Sequence, residues 1–90
     1  MTKQVYLTVI GRNDIGIIAA VSANLLSYRI SIQDITQKIL DDKFVLFMVL
    51  ECQRDINVSN LQKHLEENTR NFALKIMLAQ EDLFNSMHRI

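Results

Sequence analysis

The residues best suited to chemistry fall in one short turn, Gly11-Arg12-Asn13-Asp14-Ile15-Gly16. The chain has two glycines and no proline, and both glycines are in this turn. A helix starting at about Ile15 would present unpaired N–H groups and the positive end of its dipole there. A carboxylate at that position gains about 0.3–1 kcal/mol from the dipole, in addition to its hydrogen bonds. Gly16 has no side chain, so a ligand could approach the backbone closely. Asp14 places a negative charge in the same turn, which disfavours phosphate and suits an ammonium group. The combination fits a zwitterion, such as an amino acid, better than a nucleotide. A plainer structural account covers the same residues: Gly11 ends a strand, Gly16 permits close packing, and Asn13 or Asp14 caps the helix.

The remaining reactive side chains are scattered. His64 and His88 lack the local His, Cys or carboxylate spacing of a metal site, so no metal and no cofactor are expected. Ser22, Ser27, Ser31, Ser59 and Ser86 have no nucleophile-elbow context. Cys52 is the only cysteine, which rules out an internal disulfide and fits a reducing, cytoplasmic setting. Arg12 and Asn13 bear comparison with the anion-binding residues of acylphosphatases, but the glycine-rich loop of those enzymes is missing, and no catalytic residue is assigned. Tyr6, Phe44 and Phe47 suggest the base-stacking aromatics of RNA-recognition modules. Phe44 and Phe47 differ in strand parity, however, and point to opposite faces.

Composition narrows the class further. Ninety residues make a single domain, residues 1–90, with 49% hydrophobic and 22% charged residues. The formal net charge is zero, which gives no basic excess for direct nucleic-acid binding. No stretch is long and apolar enough for a membrane span, and no signal peptide is expected.

The elements that must position the turn follow from periodicity. Val5, Leu7 and Val9 alternate within a first strand over residues 5–10. Ile18, Val21 and Leu25 mark the buried stripe of a helix over residues 15–28. A second strand covers residues 30–40. Ile30 and Ile32 share one parity and Ile35 and Ile39 the other, which predicts a bulge near Gln33-Asp34. Asp41-Asp42-Lys43 is a polar hairpin connection to an unbroken apolar strand over residues 44–50. A polar link, residues 51–57, leads to a second helix over residues 59–71, with Ser59 and Gln62 at capping-box spacing. A fourth strand spans residues 72–79, and residues 81–90 form a short amphipathic helical tail bearing Leu83, Phe84, Met87 and Ile90.

The order βαββαβ predicts an α+β, ferredoxin-like sandwich: a four-stranded antiparallel sheet with both helices on one face. The third strand is apolar on both faces. Its second face must therefore be covered by the tail or by another subunit.

Asp14 and Gly16, followed by Ile17-Ile18-Ala19 and then Ile30-Ser31-Ile32-Gln33-Asp34-Ile35, give the chain a pattern that resembles the ACT domain family from about Lys3 to Ala79. The ending Glu81-Asp82-Leu83-Phe84-Asn85-Ser86-Met87-His88-Arg89-Ile90 resembles a branch of short bacterial ACT proteins, the UPF0237 type, related to the regulator of the glycine cleavage system. The resemblance implies a regulatory, non-catalytic domain that binds an amino acid. It also implies a homodimer or higher homo-oligomer in which two sheets join side by side, and an effector protein as partner. In such dimers the first turn of one subunit faces the start of strand two of the other. Carried over by position, the ligand-binding residues are Asn13, Asp14, Ile15, Gly16 and Ile17 on the turn, with Ser31, Gln33 and Asp34 opposite. Ser31 stands where several amino-acid-binding members have asparagine, and its side chain is shorter. An interaction module without a ligand is the alternative that this serine keeps open.

Overall fold

A computed structural model describes residues 2–12 and 16–80. Four strands and two helices alternate as the sequence periodicity predicts: β1 (Thr2–Arg12), α1 (Ile17–Ser27), β2 (Ser31–Leu40), β3 (Lys43–Gln53), α2 (Val58–Asn68) and β4 (Lys75–Gln80). The sheet is antiparallel in the order β2-β3-β1-β4, the ferredoxin-like arrangement. The predicted amphipathic tail, residues 81–90, lies outside the described residues.

The alternation in the central strands sets the core. Val5, Leu7 and Val9 of β1 and Leu46, Met48, Leu50 and Cys52 of β3 are fully buried. They meet Ile17, Val21 and Leu25 of α1 and Leu61 and Leu65 of α2. Burying each of the larger aliphatic side chains contributes about 1.5–3 kcal/mol. The opposite face of the same strands carries Tyr6, Thr8 and Ile10 of β1 and Val45, Phe47 and Val49 of β3, all half-buried. Phe44 and Phe47 thus lie on opposite faces, as their parity requires.

Element boundaries differ from the sequence reading where pairing or capping overrides local pattern. β1 runs on through Gly11 and Arg12 because they pair with Phe44 and Lys43. β3 runs on to Gln53 because Glu51, Cys52 and Gln53 pair with Gln4, Lys3 and Thr2. The cap of α2 is Asn57, whose side chain accepts from the Asn60 N–H at 3.1 Å, and not Ser59. β4 starts only at Lys75, because Arg70–Phe72 form a 3-10 turn that Ala73 ends in the left-handed conformation, φ 54°.

The exit from α1 places the start of β2. Tyr28 is the C-cap and Arg29 follows with φ 58°. The Arg29 N–H donates to Leu26 O and the Ile30 N–H to Leu25 O, the paired bonds of a Schellman motif. Ile30 and Leu25, the apolar partners of that motif, are both buried. Ser31 is therefore delivered to the sheet by a fixed turn.

Candidate functional site

β2 is one of the two edge strands of the sheet, and all ten of its residues are exposed. Ile32, Ile35, Ile39 and Leu40 are 38–53% exposed, which is unusual for four aliphatic side chains on one strand. The register shift between Ile32 and Asp34 confirms the expected bulge and leaves Gln33 out of the ladder. One extra residue keeps Ile32 and Ile35 on the same face, opposite Leu50 and Met48.

The bulge organises the polar residues at the start of β2. The Gln33 side-chain amide donates to Ser31 Oγ at 2.9 Å. Asp34 Oδ1 accepts from the Ile35 N–H at 2.9 Å. Ser31, Gln33 and Asp34 thus form one exposed polar cluster, with the Ser31 hydroxyl held by its neighbour.

The other candidate residues lie at the far end of α1. Gly16 is the N-cap of the helix, and its carbonyl accepts from the Ala20 N–H at 3.0 Å. The helix therefore begins at Ile17, two residues later than the sequence reading places it. Ile17 is fully buried and anchors this end in the core. Asn13, Asp14 and Ile15 lie outside the described residues, including the predicted capping by Asn13 or Asp14.

An eleven-residue helix separates the two groups, about 16 Å of rise. Gly16 and Ile17 are at its start and Ser31 is beyond its end, so no small molecule touches both groups within one chain. The structure brings Ser31, Gln33 and Asp34 together and keeps them apart from Gly16 and Ile17.

Gly11 has a packing role. A Cβ there would meet Leu74 Cδ2 at 2.5 Å, so the glycine admits Leu74 against the sheet. A feature the sequence reading missed sits alongside it. Ile10, Gly11, Arg12, Asp42 and Lys43 line an open cavity of about 330 Å³. Arg12 and Lys43 are register partners, two cations on neighbouring strands, and both are exposed. Their proximity follows from the β1–β3 pairing, which sequence separation conceals.

The other reactive groups have structural surroundings. Cys52 is buried, and burial pushes its thiol above the ordinary value of 9.0, with Lys3 pulling in the opposite direction. The thiol is thereby held neutral and is a poor nucleophile. His64 packs edge-on against Tyr28, with ring centroids 5.1 Å apart. Among the described residues no group of three or more His, Cys, Asp or Glu could hold a metal ion. No helix among them is long and apolar enough to cross a membrane.

Comparison with known proteins agrees with the fold. The family model described as "ACT domain" matches residues 3–79. A UPF0237 protein of Methanopyrus kandleri is 32% identical over 91 residues, covering 100% of both chains. The solved ACT domain protein from Streptococcus pneumoniae superimposes with a TM-score of 0.81 at 26% identity, covering 91% of this chain and 93% of that one. A putative glycine cleavage system transcriptional repressor shares the fold, with a TM-score of 0.77 at 19% identity over 89% of this chain and 46% of its own.

Proposed function

The chain belongs to the ACT domain family, and on that premise we propose that it is an amino-acid-responsive regulatory domain acting as a homodimer on a partner protein. The observation that carries this reading is the bare β2 edge, with its ten exposed residues and four exposed aliphatic side chains. An edge of this kind is a template for another strand.

Two copies related by a two-fold axis would pair their β2 strands antiparallel. The Ser31 end of one β2 would then lie beside the Leu40 end of the other. Leu40, Lys43 and Arg12 are successive partners across the sheet, and Arg12 leads towards Gly16. The pairing thus returns Ser31, Gln33 and Asp34 of one copy to the end of the sheet that holds Gly16 and Ile17 of the other. The two half-sites, about a helix length apart within a chain, meet only between chains.

A carboxylate would take the backbone N–H groups at the start of α1. An ammonium group would take Asp34 or the Ser31 hydroxyl. The repressor and the ACT domain protein that share this fold support a regulatory reading, and no residue among those described is assigned to catalysis.

A thermal-shift screen against the twenty amino acids tests the proposal. A true ligand at one hundred times its Kd is expected to add about 2.7 kcal/mol of stability. Gly16→Val is expected to abolish that shift while circular dichroism shows an intact fold. Ser31→Asn, with its longer reach, is expected to strengthen binding. No shift with any amino acid would defeat the sensing role. A dimer that persisted without a ligand would then leave a pure interaction module, the reading favoured by the Gln33 bond that already occupies Ser31.

A further inference from the structure

The end of the sheet beside the β2–β3 hairpin carries two cations side by side. Arg12 closes β1 and Lys43 opens β3; they are register partners, and both are exposed. Like charges directly opposite on neighbouring strands repel. Among the described residues, no hydrogen bond or ion pair engages either side chain, nor that of Asp42. One row further in, Lys38, Val45, Ile10 and Lys75 are successive partners across all four strands. Partners share a face, as do residues two apart along a strand, so all four cations lie on the face away from the helices. Among the strand residues, the first carboxylate on that face is Asp34, opposite Val49 and about 13 Å along β3 from Val45.

We propose that the cavity lined by Ile10, Gly11, Arg12, Asp42 and Lys43 binds a small phosphate monoester. Three observations support it. First, the charge matches. A phosphate monoester carries about −1.5 to −2 at neutral pH, and one such group between Arg12 and Lys43 removes their repulsion. Arg12 offers a planar fork for two phosphate oxygens, and Lys43 a point charge for the third. Second, the size fits. A cavity of about 330 Å³ is at the lower end for ligand pockets and suits a body of a few carbon atoms. A nucleic-acid strand would need a basic excess, and the net charge of the chain is zero. Third, Asp42 brings a carboxylate to the same cavity, ready to accept from a hydroxyl or ammonium group on the ligand body. The site is complete within one chain, with β2 between it and the open edge, so it does not rest on dimerisation or on amino-acid sensing.

The test is a nuclear magnetic resonance titration of the full chain at constant ionic strength. The probes are inorganic phosphate, glycerol 3-phosphate and succinate. Both phosphates are expected to shift the Gly11, Asp42 and Lys43 amide signals saturably, with glycerol 3-phosphate binding more tightly. Arg12→Gln or Lys43→Gln should weaken either phosphate by about tenfold. Lys63→Gln, at an exposed position of α2, should change nothing. Asp42→Ala should remove the advantage of glycerol 3-phosphate over inorganic phosphate. Shifts that rise linearly with concentration, or binding indifferent to both glutamine variants, overturn the proposal. Succinate binding as tightly as the phosphates, or equal affinity for the two phosphates, overturns the assignment to a phosphate monoester. The readings on the unaltered chain need no variant, so they decide even where a substitution unfolds the protein.

Discussion

The sheet has two edges, and they are treated in opposite ways. At β4, Ile76 is 3% exposed and Leu78 is half-buried. α2 packs along this strand, and Gln62 Oε1 accepts from the Leu78 N–H at 3.2 Å, occupying an amide of the edge. At β2, every residue is exposed and four aliphatic side chains face outwards. One edge is closed by the chain's own helix, and the other is left long, apolar and open. In a monomer such an edge invites uncontrolled pairing. The asymmetry is what the proposed dimer would use, with β2 as its seam and β4 as part of the domain's own core.

Substitutions on the two edges should separate these roles. The largest loss of stability is expected from Ile76→Ala on β4, about 2–4 kcal/mol by denaturant titration, because it empties a buried site. Ile39→Lys on β2 should change the stability of the isolated domain by less than about 0.5 kcal/mol. It should nevertheless convert a dimer to a monomer by light scattering, and an unchanged mass would remove β2 from the interface. Gln62→Ala is expected to cost about 1 kcal/mol, since it uncovers the Leu78 amide. The smallest effect belongs to the core between the edges. The Cys52 thiol is raised by burial, so the unfolded thiol ionises first as pH climbs past about 9. Stability is then expected to decline between the unfolded and folded thiol values, and Cys52→Ala should abolish that slope. Association through β2 should be indifferent to this substitution, which separates unfolding from dissociation.

The fold was legible because its signals are local. The alternation of Val5, Leu7 and Val9, the stripe read as Ile18, Val21 and Leu25 (in which Ile17, and not the partly buried Ile18, is the fully buried member), and the parity switch around Gln33 each lie within a dozen residues. They report strand, helix and bulge directly. The boundaries were less legible because long-range pairing decides them. Gly11 reads as the end of a strand, yet Phe44, 33 residues away, keeps it in the ladder. Ser59 with Gln62 has the spacing of a capping box, but Asn57 has the geometry. The candidate site was legible only as two separate halves, Gly16-Ile17 and Ser31-Gln33-Asp34. Their distance apart is a consequence of the length of α1, and what could unite them is a second chain. The cavity beside Arg12 and Lys43 was invisible for a related reason, since nothing in a linear pattern makes residues 12 and 43 neighbours.

Gln33 gives the open edge a polarity of its own. Beyond the bulge, residues 34–40 continue the regular ladder, whereas Ser31 and Ile32 are set off from it by one residue. Two such edges paired antiparallel about a two-fold axis could zip together only along their regular stretches. At each end of the seam the strands would part, leaving a pair of symmetric notches floored by main-chain amides. A molecule small enough to fill a notch would complete the seam, and its arrival would be felt as the tightening of a joint between two chains.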